Sequence, residues 1–315
     1  MIAALSPYHL TTREPAAMAA LLLAERVVTM MPTPFGGAER SHVERAVARS
    51  PRYLDLMESW RWSVPLWNAG VIAGGIDGED AGAEVRAVCA RLRDDDRFAP
   101  LWLLMREGVF EDELSYLDSI ARDLLRSGPD PAISIPLAAA MDRMAALHGM
   151  VVMRSSPTSV AQRAEQRLAE TLFAFAMPML MQASAGRILE AREALGDSME
   201  RLGGVVREAS SGGGSRLDVA DAARDAAHAF ESVRSDLSRP CDDEDDLHVI
   251  VGTASVTAVS MPVDSVLESS MVALRSFTRL PKRARAGTST LPAVRDPLAG
   301  ERVVSLVVRT IGRSR

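Results

Sequence analysis

Met150-Val151-Val152-Met153 is a short apolar run, and it is followed at once by a mostly polar segment, Arg154-Ser155-Ser156-Pro157-Thr158-Ser159. Four consecutive apolar residues before a turn are typical of a buried strand. Helices are predicted on both sides of this run, the second of them over 158–169. We therefore interpret the run as one strand of a parallel sheet whose strands are joined by crossover helices.

The same kind of junction occurs elsewhere in the chain. Apolar runs near 26–31, 172–178 and 248–261 also end in segments rich in Ser, Thr, Pro or Gly, the last of them at 260–265. These runs predict a helix-dominated α/β fold with a small, mostly parallel sheet that is flanked by helices. Residues 302–311 are a further strand candidate. The alternative is a mainly α fold with short incidental strands.

The spacing of apolar residues also predicts how the chain is organised. Residues 41–126 repeat apolar positions at helical intervals and predict an all-helical insertion beside the sheet, with a glycine-rich loop at 74–82. The α/β core is predicted over 1–202. Two glycine-rich stretches predict a flexible linker at 203–216. The segment 217–315 then completes the core and ends in a basic tail at 275–315.

Charge is distributed unevenly over the chain. The tail from Arg275 to Arg315 has ten basic residues and two acids, a net charge of +8, so the rest of the chain carries −14 of the total of −6. Such a tail either docks on the acidic body or binds nucleic acid or a membrane surface. We favour docking, which argues against nucleic acid as a partner. The acidic run at 242–246 is interpreted as a solvated loop rather than a metal site, because it lacks the spacing of a calcium-binding loop.

Several classes of protein are disfavoured by composition. Lys282 is the only lysine, and its basic, turn-like surroundings fit neither a P-loop nucleotide site nor a pyridoxal phosphate site, so no cofactor is predicted. The two cysteines, Cys89 and Cys241, have no disulfide or metal-ligand spacing. The N-terminal residues do not resemble a signal peptide, and the longest apolar runs are too short to cross a bilayer. We expect a soluble, cytoplasmic protein without membrane insertion.

The junctions after the predicted strands suggest one ligand site. In an open parallel sheet the strand carboxyl ends line up along one edge, where ligands bind. Hydroxyl groups and free amides at the helix starts, together with arginines, favour a small anion. The predicted ligand residues are Arg154, Ser155, Ser156, Thr158, Gln182, Ser184 and Arg187. The competing interpretation is that the Ser and Thr residues are ordinary helix N-caps.

Two functional classes remain open from the sequence. The first is a protein that binds a small anionic ligand at the strand carboxyl ends, and the sequence does not decide whether that site is catalytic. The second is a non-catalytic, helical partner-binding or scaffold protein, with which a homo-oligomer is compatible. Trp60, Trp62, Trp67 and Trp102 fit either a binding platform or, more commonly, a core or an interface.

Overall fold

The computed structural model describes residues 1–13, 15–30, 55, 58–75, 83–94, 131–155, 170–178, 183–210, 215–237, 246–255 and 302–311. Within these residues, helices and strands build an α/β fold in which one sheet packs against helices. The predicted fold class, helix-dominated α/β with a mostly parallel sheet, is confirmed.

The described part of the chain contributes seven strands to the sheet. They are β1 (Ile2–Leu5), β2 (Arg26–Val28), β3 (Ile72–Ala73), β4 (Val151–Ser155), β5 (Glu170–Pro178), β6 (Asp246–Ser255) and β7 (Arg302–Ile311). Their order across the sheet is β3-β2-β1-β4-β7-β6-β5. The pairings from β3 to β7 are parallel, whereas β6 is antiparallel to both of its neighbours. Six strands therefore point the same way, and β6 points the other way.

The described helices cover both faces of the sheet. They are α1 (Pro7–Thr12), α2 (Pro15–Leu23), α3 (Val64–Asn68), α4 (Ala83–Asp94), α5 (Pro131–His148), α6 (Ala185–Ser210) and α7 (Arg216–Leu237), with a 3-10 turn at Arg61–Ser63. Both α2 and α5 pack on β1, β4 and β7. The connection from β1 to β2, which contains α2, moves across the sheet in one direction, and the connection from β3 to β4, which contains α5, moves in the opposite direction. Because such crossovers are right-handed, α2 and α5 lie on opposite faces of the sheet.

The strand β1 and the helix α2 form the centre of the core. Residues 3–5 are fully buried because β1 pairs on both edges, where Ala3 is level with Val27 of β2 and with Val151 of β4. Every residue from Ala16 to Ala24 is also buried. A helix that is apolar all round is buried on all sides, so α2 lies in the interior rather than at the surface.

Most strand positions follow the sequence prediction. The strands expected near 26–31, 150–154, 172–178 and 248–261 are observed as β2, β4, β5 and β6, and the candidate at 302–311 is β7. The sequence pattern does not predict β1 or β3. Alanine is depleted in strands, and β1 contains two alanines, while β3 has only two residues. Because β3 lies inside 41–126, that segment is not entirely helical.

The direction of β6 differs from the prediction. The expectation that all the apolar runs point the same way is wrong for β6, which is antiparallel to β5 and β7. The reason is its connection: α6 and α7 pack on each other as a hairpin, which leaves β5 at its carboxyl end and brings the chain back to that same edge. A strand that starts where its neighbour ends must run antiparallel to it. The junction at 260–265 lies outside the described residues.

The segment predicted as a flexible linker is partly helical. The helix α6 continues to Ser210, and α7 begins at Arg216, so residues 203–210 belong to a helix. Gly203 faces the core, where a Cβ would lie at ordinary contact distances, 3.5 Å from the Cβ of Met1 and 3.9 Å from the carbonyl oxygen of Leu23. Residues 203–210 are therefore part of a helix that contacts the core rather than of a flexible linker.

Arg192 attaches α6 to the C-terminal end of α2. Its guanidinium donates hydrogen bonds to the carbonyl oxygen of Leu21, to that of Ala24 at 2.6 Å and to that of Glu25 at 2.9 Å. The last carbonyls of a helix have no partner within the helix, and a cation is favoured there by the helix dipole. Burial lowers the pKa of Arg192, and the charge of Glu25 partly offsets this effect.

The described helices vary in length and in apolar content. None of them combines the length and the apolar content that crossing a bilayer requires. The apolar α2 has nine residues, and the longer α6 and α7 have charged residues along their exposed faces.

Replacing Arg192 with methionine is expected to destabilise the protein by about 1.5–3 kcal/mol, the range for hydrogen bonds to a charged group. Methionine retains apolar length but leaves the carbonyls at the end of α2 without a donor. The free energy of unfolding from urea denaturation measures this effect. Arg201→Met is the matched control on the same helix, because Arg201 is exposed and pairs with Asp225 at the surface. Its cost is expected to stay below about 1 kcal/mol. Equal losses in both variants would contradict the role assigned to Arg192.

Candidate functional site

The path of the chain across the sheet reverses between β1 and β4. From β1 the chain proceeds to β2 and β3 on one side, and it then returns to β4 on the other side of β1. In an open parallel sheet, such a reversal leaves a crevice outside the carboxyl ends of the two strands, and ligands bind there. The carboxyl ends of β1 and β4 are therefore the candidate functional site.

Two of the seven predicted ligand residues lie at this position. Arg154 and Ser155 are the last two residues of β4, and their backbones are level with Val307 and Val308 of β7. On the other side, Met153 is level with Leu5, the last residue of β1, so Arg154 is placed beside the start of the segment that follows β1. Ser156, Thr158 and Gln182 lie outside the described residues.

Ser184 and Arg187 lie at the start of α6, beyond the carboxyl end of β5. The strand β5 is separated from β4 by β7 and β6, a distance of about 14 Å at the usual spacing between strands. The sheet therefore places Ser184 and Arg187 on the same edge as Arg154 but does not bring them next to it. Ser184 makes the hydrogen bonds of an N-cap, since its Oγ accepts from the backbone N–H of Arg187 at 3.4 Å and its carbonyl accepts from that of Ile188 at 3.0 Å.

Ser6 is a residue of this site that the sequence analysis misses. It follows β1 directly and is the N-cap of α1, where its Oγ accepts from the backbone N–H of Tyr8 at 3.3 Å. The dipeptide Ser6-Pro7 does indicate a helix start at this position, because Ser is typical of the N-cap and Pro of the first helical position. Within the helix that it opens, His9 is buried at 5% exposure.

The end of β2 contributes a buried hydroxyl. Thr29 is completely buried, and its Oγ1 has no hydrogen-bond partner among the described residues, although its backbone N–H donates to the carbonyl of Ala73 at 3.0 Å. The next residue, Met30, has a φ of 54°, in the left-handed region that residues other than glycine rarely adopt. A buried polar group without a partner and an unusual backbone conformation therefore occur side by side at the carboxyl edge.

The tryptophans of the segment 58–68 pack beside α1. Trp60 is buried, its ring centroid is 6.5 Å from that of Trp67, and its Nε1 donates to Oγ1 of Thr11 at 2.6 Å. Trp67 donates from Nε1 to Oγ of Ser63 at 3.2 Å. Trp60 is therefore a core residue, while Trp62 and Trp67 are partly buried against the core. Trp102 lies outside the described residues.

The described ionisable groups include an ion pair between two helices and a buried thiol. Within the described ranges, no three His, Cys, Asp or Glu side chains are close enough together to hold a metal ion. Glu84 of α4 and Arg143 of α5 form an ion pair at 2.7 Å that joins these two helices.

Burial raises the pKa of the Cys89 thiol to about 12, so this side chain is protonated at neutral pH and is not a nucleophile.

Replacing Thr29 with valine is expected to raise the free energy of unfolding by about 1 kcal/mol or more, because it removes a buried hydroxyl that lacks a partner. The midpoint of urea unfolding measures this change. Thr29→Ser is the control, since it keeps the hydroxyl and should give no increase. If T29V lowers the midpoint instead, the hydroxyl of Thr29 has a hydrogen-bond partner in solution.

Cys89 is expected to resist alkylation in the folded protein. A thiol with a pKa of about 12 is ionised to about one part in ten thousand at pH 8, and the thiolate is the reactive form. The measurement uses Cys241→Ser, in which Cys89 is the remaining cysteine, and follows labelling by iodoacetamide with mass spectrometry in buffer and in urea. Labelling should be slow in buffer and fast in urea. Fast labelling of the folded protein would show that Cys89 is accessible and ionised.

These features of the carboxyl edge were set beside known proteins in three comparisons. No protein-family model, no curated protein and no solved structure matches the chain.

Proposed function

We propose that this protein binds a small anionic ligand at the carboxyl edge of the sheet, in the crevice between β1 and β4. The observation that supports this proposal is the strand order β3-β2-β1-β4, in which the chain reverses at β1. The connections that leave β1 and β4 diverge from each other at such a reversal, so the space between them is open to a ligand.

The residues at the two strand ends suit an anion. β4 ends in Arg154 and Ser155, and β1 is followed by Ser6. An arginine offers several N–H donors in a fixed plane, which match the oxygens of a carboxylate or a phosphate. Arg154 and Ser155 are therefore the first ligand residues of the proposal, and Ser156 and Thr158 follow them along the chain.

The remaining predicted residues occupy a second part of the same edge. Gln182, Ser184 and Arg187 follow β5, which also ends at this edge but is separated from β4 by two strands, β7 and β6. They contact the ligand only if it extends along the edge for about 14 Å. A compact ligand is therefore bound only by the residues at the carboxyl ends of β4 and β1.

The alternative, a helical surface that binds a protein partner, has less support in the described part of the chain. The exposed large apolar side chains there are Leu147 of α5 and Leu217 of α7. They lie on different helices, and single exposed apolar residues are normal on a protein surface.

The proposal is tested by binding of pyrophosphate, citrate and inorganic phosphate, measured by thermal denaturation and by isothermal titration calorimetry. An anion present at a hundred times its Kd stabilises the folded state by about 2.7 kcal/mol. Arg154→Gln should weaken binding tenfold or more, since a hydrogen bond to a charged group contributes about 1.5–3 kcal/mol.

Arg207→Gln is the matched control, because Arg207 is exposed near the end of α6. It should bind the anions as the wild type does. If none of the three anions binds the wild-type protein, or if R154Q and the wild type bind them equally, the proposed site is wrong.

A further inference from the structure

Arg13 lies over the ring of Trp62 at the start of the α1–α2 layer. Its Cζ is 4.3 Å from the centroid of the ring, which is the geometry of a cation–π contact. Arg13 is the C-cap of α1, and this six-residue helix starts directly after Ser6. The rise of an α-helix is 1.5 Å per residue, so the backbone of Arg13 is about 10 Å from that of Ser6, the residue that follows β1 at the carboxyl edge.

The position of Arg13 is fixed by its backbone and by its neighbours. Its φ of 52° is left-handed, and its backbone N–H donates to the carbonyls of His9 and Leu10, which ends α1. On the other side, Thr11 accepts the hydrogen bond from Trp60 and donates from Oγ1 to the carbonyl of Pro7 at 2.8 Å. The segment that contains Trp62 is therefore attached to α1, and the stacked pair is held in place before any ligand arrives.

The guanidinium of Arg13 has no acidic partner in the described part of the chain. Burial is what lowers the pKa of Arg13, and no described acid acts on it in the opposite direction. This differs from Arg192, where Glu25 offsets burial and three carbonyls accept the donors. The edge of the sheet thus has a partly buried positive charge that the described residues do not neutralise, which favours an anion at this place.

We propose that Arg13, stacked on Trp62, is a second anion-binding group of the carboxyl-edge site, so that its ligand has at least two oxyanion groups. This inference rests on the function proposed above. The face of the guanidinium is against the ring, and its N–H donors lie in the plane of the group, where they remain available to two oxygens of a carboxylate or a phosphate. Arg154 receives the other oxyanion at the end of β4.

The test compares wild type, Arg13→Gln, Arg13→Lys and Arg154→Gln in titrations with pyrophosphate and citrate, which have several oxyanion groups, and with inorganic phosphate, which has one. The two multivalent probes distinguish a phosphate ligand from a carboxylate ligand. R13Q should lower the affinity for pyrophosphate or citrate, whichever binds the wild type more tightly, tenfold or more. The difference in affinity between that probe and inorganic phosphate should also become smaller. R13K should recover only part of this loss, because lysine has the charge but not the planar donors. R207Q should bind as the wild type does.

A second readout separates binding from a structural role of Arg13. Trp62 lies in contact with Arg13, so binding should change the tryptophan fluorescence of the wild-type protein, and this change should be lost in Trp62→Phe. Wild-type affinity in R13Q, with weakened binding in R154Q, would overturn the role of Arg13 and leave the proposed function standing. Absence of binding by the wild type would overturn both proposals.

Discussion

The pairing of β1 on both of its edges is the constraint on which the rest of the fold depends. β2 occupies one edge and β4 the other, although the paired residues Ala3 and Val151 are 148 positions apart in the chain. Because both edges are occupied and α2 and α5 cover the two faces, β1 has no contact with solvent in residues 3–5. The same arrangement makes the chain reverse at β1, and this reversal places the crevice between β1 and β4.

The strands β4, β6 and β7 could be predicted because they have a strong local pattern, whereas β1 could not. β4, β6 and β7 are rich in valine and isoleucine, which suit a strand buried on both faces. β1 is Ile2-Ala3-Ala4-Leu5, and its alanines reflect the close packing of α2, which is a tertiary effect that a short window of sequence does not contain. The direction of β6 also depends on long-range structure, since the α6–α7 hairpin determines where the strand begins.

In the candidate site, too, some residues could be predicted from the sequence and others could not. Arg154 and Ser155 could be placed at a strand end from the sequence, because the apolar run before them shows where the strand stops. The stacking of Arg13 on Trp62 joins positions that are 49 residues apart and belong to no periodic pattern, so the sequence gives no local signal for it. Thr29 likewise looks like an ordinary strand residue until its burial is known. Single residues at the edge of the sheet are thus harder to predict than the elements that place them.

The position of β7 determines when the sheet can be completed. β7 is the last of the described strands along the chain, yet it lies between β4 and β6, and it pairs with five residues of β4 and ten of β6. Val151 and Val304 are partners across about 150 residues, a separation that slows folding because the intervening chain must first be ordered. During synthesis, β4 and β6 therefore expose unpaired backbone edges until β7 leaves the ribosome. Over that interval the nascent chain is open to mispairing with other strands, and assistance from chaperones would be most useful then.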